Sequence, residues 1–489
     1  MTLSQRLLPT VNVLARVSAL FSLSIIVPIG VAWFNNDAGL WPFVDALTGL
    51  LIVSLSTIAL THKYKREMRS RDGFVLVVGV WSLLPAVAAV PLLLFNPQTS
   101  FTDAYFETMS ALTTTGATVF TGLDHLPPSI NLWRHLLNWL GGMGIIVLAV
   151  AILPLLGVGG MQLFKAETPG PIKDSKLTPR IHETARNLWL IYAGLTLVCT
   201  LLLKYLGGVS WLDAVCHAFA AMCLGGFSTH DASVGYFNSP VVEGILIVFM
   251  VLAATNFATH YFALSGRKLS VYLKDSEFKA MLLLLITSIL ACAGYLYWQN
   301  TYPAYLTAVR HVAFNLVSLA TDSGFASVDF AQWPIFVPLV MLFLSCITAC
   351  AGSTGGGIKM IRTIIQVREV TRQMSSLLHP QGVHPLRVNG QIVPNSVLFS
   401  VMGFVFIYFA SIVGLTFVLL LSGLDFLSSF SAIIACINNA GPGLGVVGPA
   451  SNYGVLTDFQ TWVCSFTMLL GRLEIFSVLI LFTSAFWRN

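Results

Sequence analysis

Residues 349–362, ACAGSTGGGIKMIR, gather glycines, hydroxyls and a lysine in a way that first suggests an anion cradle. A nucleotide-binding P-loop requires G-x-x-x-x-G-K-[ST], with the lysine directly after the second glycine. Gly352 and Gly357 have the right separation, but Ile358 stands at the lysine position and Lys359 at the hydroxyl position. The residues before the stretch continue an apolar run, so no strand–loop–helix context surrounds it. Phosphate chemistry is set aside. Cys346 and Cys350 share a helix face at i, i+4, yet no histidine or second cysteine pair accompanies them at zinc spacing. All eight cysteines lie in apolar stretches and read as small buried hydrophobes. No His/Asp/Glu or Cys/His constellation sits at a helix end, so no catalytic residues are assigned and an enzyme is not expected.

A second pattern has a different chemistry. FTDAYFETMSALTTTGATVF and WLDAVCHAFAAMCLGGFSTH align without a gap, Asp103 on Asp213 and Gly116 on Gly226, at an offset of 110. HVAFNLVSLATDSGFAS places Phe314 on Phe106, Ser318 on Ser110 and Gly324 on Gly116 at an offset of 208. DFLSSFSAIIACINNAGPGLG offers Gly441 after a similar apolar run, although its opening needs a shift to align. Each reads as a short helix followed by an extended glycine turn. The last carbonyls of a helix lack intrahelical partners, and that end carries partial negative charge. Four such ends converging on one axis form a ring of oxygens able to replace the hydration shell of a monovalent cation. Glycine permits the close backbone approach and positive φ that a Cβ obstructs. One such loop reads equally well as an ordinary turn; recurrence in four loops argues against that reading for the set.

The elements that position these loops are membrane helices. The 489 residues are 56% hydrophobic and 10% charged, against about 25% charged in an ordinary soluble protein. Apolar runs near 17–35, 40–61, 73–95, 134–164, 186–206, 239–266, 279–299, 333–366, 396–422 and 456–486 suit ten transmembrane helices. The first run is longer than a signal-peptide core and lacks a small-residue cleavage site, so it reads as a retained helix. Segments 102–113, 211–223, 306–320 and 425–437 are too short to cross and read as re-entrant or interfacial. Twenty-two of the 26 Lys/Arg residues fall on one side, in loops 62–72, 165–186, 267–279 and 359–387 with Arg6, Arg16 and Arg488. The positive-inside rule makes that side cytoplasmic, with both termini inside. Arg134, Lys204 and Arg310 fall outside, and Arg472 falls within a helix. Asp37, Asp103, Asp124, Asp213, Asp231, Asp329, Asp425 and Asp458 give the outer side a negative character that concentrates cations; surface acids also serve solubility.

With these motifs in place, TTTGAT (113–118), LGGFSTH (224–230), DSGFAS (322–327), NNAGPGLG (438–445), CAGSTGGGIKMIR (350–362) and GRLEIF (471–476), the chain resembles the Trk/Ktr/HKT superfamily of potassium transporters. It is most similar to the bacterial uptake subunits of that superfamily, over nearly all its length. The resemblance implies an all-α polytopic membrane protein of the bacterial cell inner membrane. Two extra N-terminal helices (1–72) precede four helix–pore-helix–helix repeats, at 73–165, 166–267, 268–370 and 371–489, around a pseudo-four-fold pore. It implies a K+-binding filter of backbone carbonyls at Thr114, Thr115 and Gly116; Leu224, Gly225 and Gly226; Asp322, Ser323 and Gly324; and Asn439, Ala440 and Gly441. Glycine at 116 favours potassium, since serine at that position accompanies sodium transport in the plant branch.

The resemblance further implies a gate. Gly352, Ser353, Thr354, Gly355, Gly356, Gly357 and Lys359 belong to an intramembrane loop that obstructs the pore, and Arg472 projects into the pore beneath the filter. The alternative for Arg472 is a structural ion pair; Glu474, two residues on, does not face it on a helix. Asp322 departs from the hydroxyl-rich pattern: its carboxylate either faces the pore or caps local backbone N–H groups, as Asp does in turns. Implied partners are a second copy in a homodimer, a cytosolic TrkA-like nucleotide-binding regulatory subunit and membrane lipid, with no nucleic acid. K+ is the transported ion, no other metal is implied, and nucleotide acts only through the regulatory partner. A secondary active symporter coupled to H+ or Na+ is the rival reading. Such carriers usually have inverted repeats or paired midplane carboxylates, whereas these repeats run parallel.

Overall fold

The computed structural model describes residues 3–64, 70–144 and 181–488. The inner part of the expected 134–164 span and most of loop 165–186 lie outside the described residues, as does 65–69 of the first basic loop. The regular structure of the described residues is helical except for one two-stranded hairpin, Arg387–Val388 with Gln391–Ile392. Six helices are long and apolar enough to cross a membrane. Their outer faces stay apolar without being buried: 17% of the most apolar window of Leu40–Thr61 and 28% of that of Asn395–Leu421 is covered by protein. Uniformly apolar helices with so little protein cover are solvated by lipid.

Between the long helices stand four short ones, Phe101–Leu112, Trp211–Cys223, Tyr305–Ala320 and Phe426–Asn438. Three have a side-chain N-cap: Ser100 accepts from the Asp103 N–H, Ser210 from the Asp213 N–H and Asp425 from the Ser428 N–H. Such caps satisfy donors otherwise orphaned at a helix start. Each short helix starts at an exposed apolar or aromatic residue, Phe101, Trp211, Tyr305 or Phe426, and ends fully buried. Their C-terminal ends therefore point into the protein.

The packing is cyclic. Each short helix lies between the helix before it, the helix after it and the second helix of the preceding repeat. Phe101–Leu112 packs on Ser70–Phe95, on Pro128–Gly142 and on Asp458–Arg472 of the last repeat, which closes the circle. Helices Leu3–Ser22, Ile26–Asn35 and Leu40–Thr61 flank this ring, and Asp37 caps Pro128–Gly142 by accepting from the Ser129 N–H at 3.0 Å.

Three of the expected spans are broken, the third where its glycines were expected to interrupt the helix. The 239–266 run is two helices, Pro240–Ala253 and Phe257–Gly266, bent by 95°, and the 456–486 run bends by 108° after Arg472. The 333–366 run stops at Ser345 and resumes as a helix only at Met360. Hydropathy does not register these breaks; close packing imposes them. A Cβ on Gly356 would sit 1.9 Å from the Asn438 carbonyl oxygen, and one on Gly471 would sit 2.0 Å from that of Ile437. In repeat two, Asn256 caps the second half-helix by accepting from the Ala258 N–H at 2.8 Å.

Candidate functional site

The four short helices end in one repeated backbone conformation. Thr114, Leu224, Asp322 and Asn439 are left-handed, with φ of 56°, 57°, 67° and 58°. Two residues on, Gly116, Gly226, Gly324 and Gly441 are left-handed again, at 81°, 57°, 84° and 84°. The N–H groups of Thr115, Gly225, Ser323 and Ala440 donate to the carbonyls of Ser110, Ala220, Ser318 and Ala435, five residues back in every case. Left-handed backbone is sparsely allowed for residues with a Cβ, so its recurrence at equivalent positions of all four loops marks them as built alike.

The four loops interlock as a ring. A Cβ on Gly116 would meet the Gly225 carbonyl oxygen at 2.3 Å; on Gly226, that of Ser323 at 2.0 Å; on Gly324, that of Ala440 at 2.6 Å; and on Gly441, that of Thr115 at 2.8 Å. Each glycine faces the carbonyl one residue before the next glycine, and the fourth returns to the first. The twelve residues expected at the filter are thus brought together. The ring departs from four-fold identity: the Gly225 oxygen also accepts from the Asn138 amide at 3.1 Å, and the Gly441 oxygen from the Tyr453 hydroxyl at 2.9 Å.

Behind the ring runs a set of supports that sequence reading missed. Glu107 accepts from the Thr118 hydroxyl at 2.9 Å and the Val119 N–H at 3.0 Å. His217 bonds the Ser228 hydroxyl at 2.9 Å, Asn315 accepts from the Ser327 N–H at 3.0 Å, and Ser431 accepts from the Leu444 N–H at 2.8 Å. Each side chain of a short helix clamps the segment that follows its own glycine. Glu107, His217 and Asn315 lie at the same offsets of 110 and 208 as the glycines, and polar residues recurring at those offsets inside apolar runs were the available signal. Arg134, placed outside by its position in the sequence, is buried against Glu107 at 2.7 Å, and its guanidinium stands 4.5 Å from the Phe227 ring centre.

The side chains at the inner rim of the ring meet the segment 346–359. Arg472 donates to the Thr114 hydroxyl at 3.1 Å, and to the carbonyls of Thr354 at 3.0 Å, Gly141 at 2.5 Å and Gly142 at 2.9 Å. Glu474 pairs instead with Arg362 at 2.8 Å. The Thr354 hydroxyl lies 3.2 Å from the Met222 carbonyl, and the Cys350 N–H donates to Ala254 at 3.0 Å, so the segment is seated under repeat two. The Gly356 N–H donates to Asp322 at 3.0 Å. Ser353 bonds the Cys350 carbonyl at 2.6 Å, and Lys359 turns its ammonium back onto the Gly355 carbonyl. The lysine that suggested a phosphate cradle is thus engaged within its own loop. Gly352 and Gly357, at φ of 73° and 71°, shape that loop.

At the outer rim Asp124 and His230 meet at 2.5 Å. Asp231 accepts from the Gly122 and Leu123 N–H groups at 2.9 and 3.1 Å, and Asp124 from the Asp231 N–H at 3.2 Å. This clasp joins the segments leaving the first and second loops. Burial opposes charge on His230, but Asp213, 3.3 Å away, and Asp124 raise its pKa above the ordinary value. Burial likewise acts against Asp124, yet bonds from His230 and the Asp231 N–H hold its carboxyl below the usual range. Asp213 and Asp103 accept from the cap hydroxyls Ser210 and Ser100 at 2.7 Å each. Several of the outer acids therefore serve helix starts and loop ties.

The family model for TrkH, described as a cation transport protein, matches residues 43–488. Trk system potassium uptake protein TrkH of Vibrio parahaemolyticus is 44% identical over 482 residues, covering 98% of this chain and 99% of the relative. TrkH of Escherichia coli K12 is 43% identical over 471 residues, covering 96% and 97%. TrkG of the same strain is 38% identical over 473 residues, covering 96% of each. The crystal structure of the potassium transporter TrkH from Vibrio parahaemolyticus matches with a TM-score of 0.88 at 42% identity, over 100% of both chains. The chain therefore belongs to the TrkH family of membrane cation transport proteins.

Proposed function

We propose that this chain is a channel-like potassium uptake subunit of the bacterial inner membrane. The observation that carries the reading is the closed ring in which Gly116, Gly226, Gly324 and Gly441 each face a carbonyl of the next loop. Carbonyls of the twelve loop residues replace the hydration shell of K+, and the inward C-terminal ends of four pore helices add partial negative charge. The chain spans the membrane ten times with both termini cytoplasmic. Its potassium-uptake relatives at 38–44% identity support the choice of ion. The chain works as a homodimer with a TrkA-like cytosolic subunit, through which nucleotide acts.

The closed state follows from the inner rim. Arg472 holds a fixed positive charge there while bonded to Thr354 of segment 346–359. A fixed cation in a narrow low-dielectric path opposes a passing one. Opening requires segment 346–359 and Arg472 to part, and the glycines at 352 and 355–357 supply the hinge.

Purified protein in liposomes tests this. Rb+ or K+ flux is expected without a proton or sodium gradient, and deletion of 352–357 is expected to raise it. Flux strictly dependent on a proton or sodium gradient would instead establish a coupled symporter.

A further inference from the structure

The left-handed residue that opens each loop carries a different side chain in each repeat. Thr114 takes a bond from Arg472, Leu224 has no polar atom, and Asn439 donates to the Thr115 hydroxyl at 2.9 Å and the Met468 carbonyl at 3.1 Å. Asp322 alone reaches into segment 346–359. Its Oδ2 accepts from the Gly356 N–H, 34 residues away in sequence, at 3.0 Å. It also bounds the space beside Gly355, where an added Cβ would approach to 3.3 Å. The side chain is 0% exposed, and its Oδ1 accepts no hydrogen bond among the described residues.

A buried carboxylate is costly unless a counter-charge and hydrogen bonds compensate it. Here both come from one loop: the Gly356 N–H, and the field of Lys359, whose ammonium is bonded to Gly355. A loop that swings away takes both with it and leaves the carboxylate to water and passing cations. The same group then favours the seated loop when closed and attracts cations when open. A residue with different partners in two states biases the equilibrium between them.

Resting on the gated-pore reading above, we propose that Asp322 is a positioning residue that tethers the gate loop to the third filter turn through the Gly356 N–H.

Two readouts test this on the full-length protein. Hydrogen–deuterium exchange of the peptide covering 351–358 follows the tether whether or not the protein conducts. Loss of the acceptor for the buried Gly356 N–H predicts roughly tenfold or faster exchange there in Asp322→Ala. Asp322→Asn keeps an oxygen acceptor and is expected to restore slow exchange. In liposomes, Asp322→Ala is expected to raise basal Rb+ flux severalfold above that of Asp322→Asn, which keeps the acceptor. Unchanged exchange in a folded, monodisperse Asp322→Ala protein would overturn the tether, as would an Asn variant as fast as Ala. If exchange behaves as expected while even the parent protein passes no gradient-independent Rb+, the tether stands and the channel-like reading falls.

Discussion

The guanidinium of Arg472 lies 3.1 Å from the hydroxyl of Thr114, across 358 residues of sequence and from the last repeat to the first. The same group holds Thr354 of segment 346–359 at 3.0 Å. One side chain therefore joins the first glycine turn to segment 346–359. Arg472→Gln removes the charge and most of these donors, and basal Rb+ flux in liposomes is expected to rise by roughly tenfold, equivalent to ~1.4 kcal/mol off the barrier. Arg472→Lys keeps the charge without the planar fork and is expected to fall between the two.

The ring glycines are separable from the others by geometry. Gly226→Ala puts a Cβ 2.0 Å from the Ser323 carbonyl oxygen at a φ of 57°, and flux is expected to be lost. Gly244→Ala, in the helix Pro240–Ala253 with nothing within 4 Å, is expected to keep full flux and stability. Flux assays on both, with thermal unfolding as a folding control, check the contrast.

The Glu107–Arg134 pair is buried, each side chain 1% exposed. Removing one partner strands a buried charge, at about 3–5 kcal/mol. Glu107→Gln is therefore expected to lower Tm markedly and to loosen the first loop, reducing K+ over Na+ preference in a flux competition. Replacing both partners, as in Glu107→Leu with Arg134→Met, is expected to recover much of the Tm, since well-packed apolar residues substitute for such pairs.

The outer clasp makes a pH prediction with a defined sign. His230 has a raised pKa in the folded protein, so its contribution is complete below the unfolded value of about 6.5 and is lost as pH rises through the higher folded value. Asp124 has a lowered one, so its contribution is present above about 3.9 and lost only as pH falls through the folded value. Between about pH 6 and about pH 9 the parent protein is therefore expected to lose Tm relative to His230→Gln. Equal slopes for the two proteins would count against a charged clasp.

The ring was legible in the sequence because its geometry repeats: Gly116, Gly226 and Gly324 recur at fixed offsets, since each must present the same bare backbone to a neighbour. Gly441 was harder to align because the fourth segment uses other chemistry, Ser431 clamping Leu444 where the first three use Glu107, His217 and Asn315. The breaks after Ala253 and Arg472 were not legible. Hydropathy runs on through residues 254–256 and 472–474, and the breaks arise from contacts such as that of Gly471 with the Ile437 carbonyl, between residues 34 positions apart. The burial of Arg134 was hidden for a related reason: its partner Glu107 sits 27 residues earlier on another helix. The partner of Asp322 was equally hidden, because a turn aspartate most often caps its own turn, and Gly356 lies in another segment.

In the proposed pore, the interlocked loops hold the permeating ion. Anomalous scattering from crystals grown in Rb+ tests it directly, because Rb+ substitutes for K+ and marks its own position. Rb+ density is expected on the axis enclosed by the carbonyls of Thr115, Gly225, Ser323 and Ala440, diminished when Na+ replaces Rb+. An empty ring with Rb+ bound instead at side-chain carboxylates would contradict it.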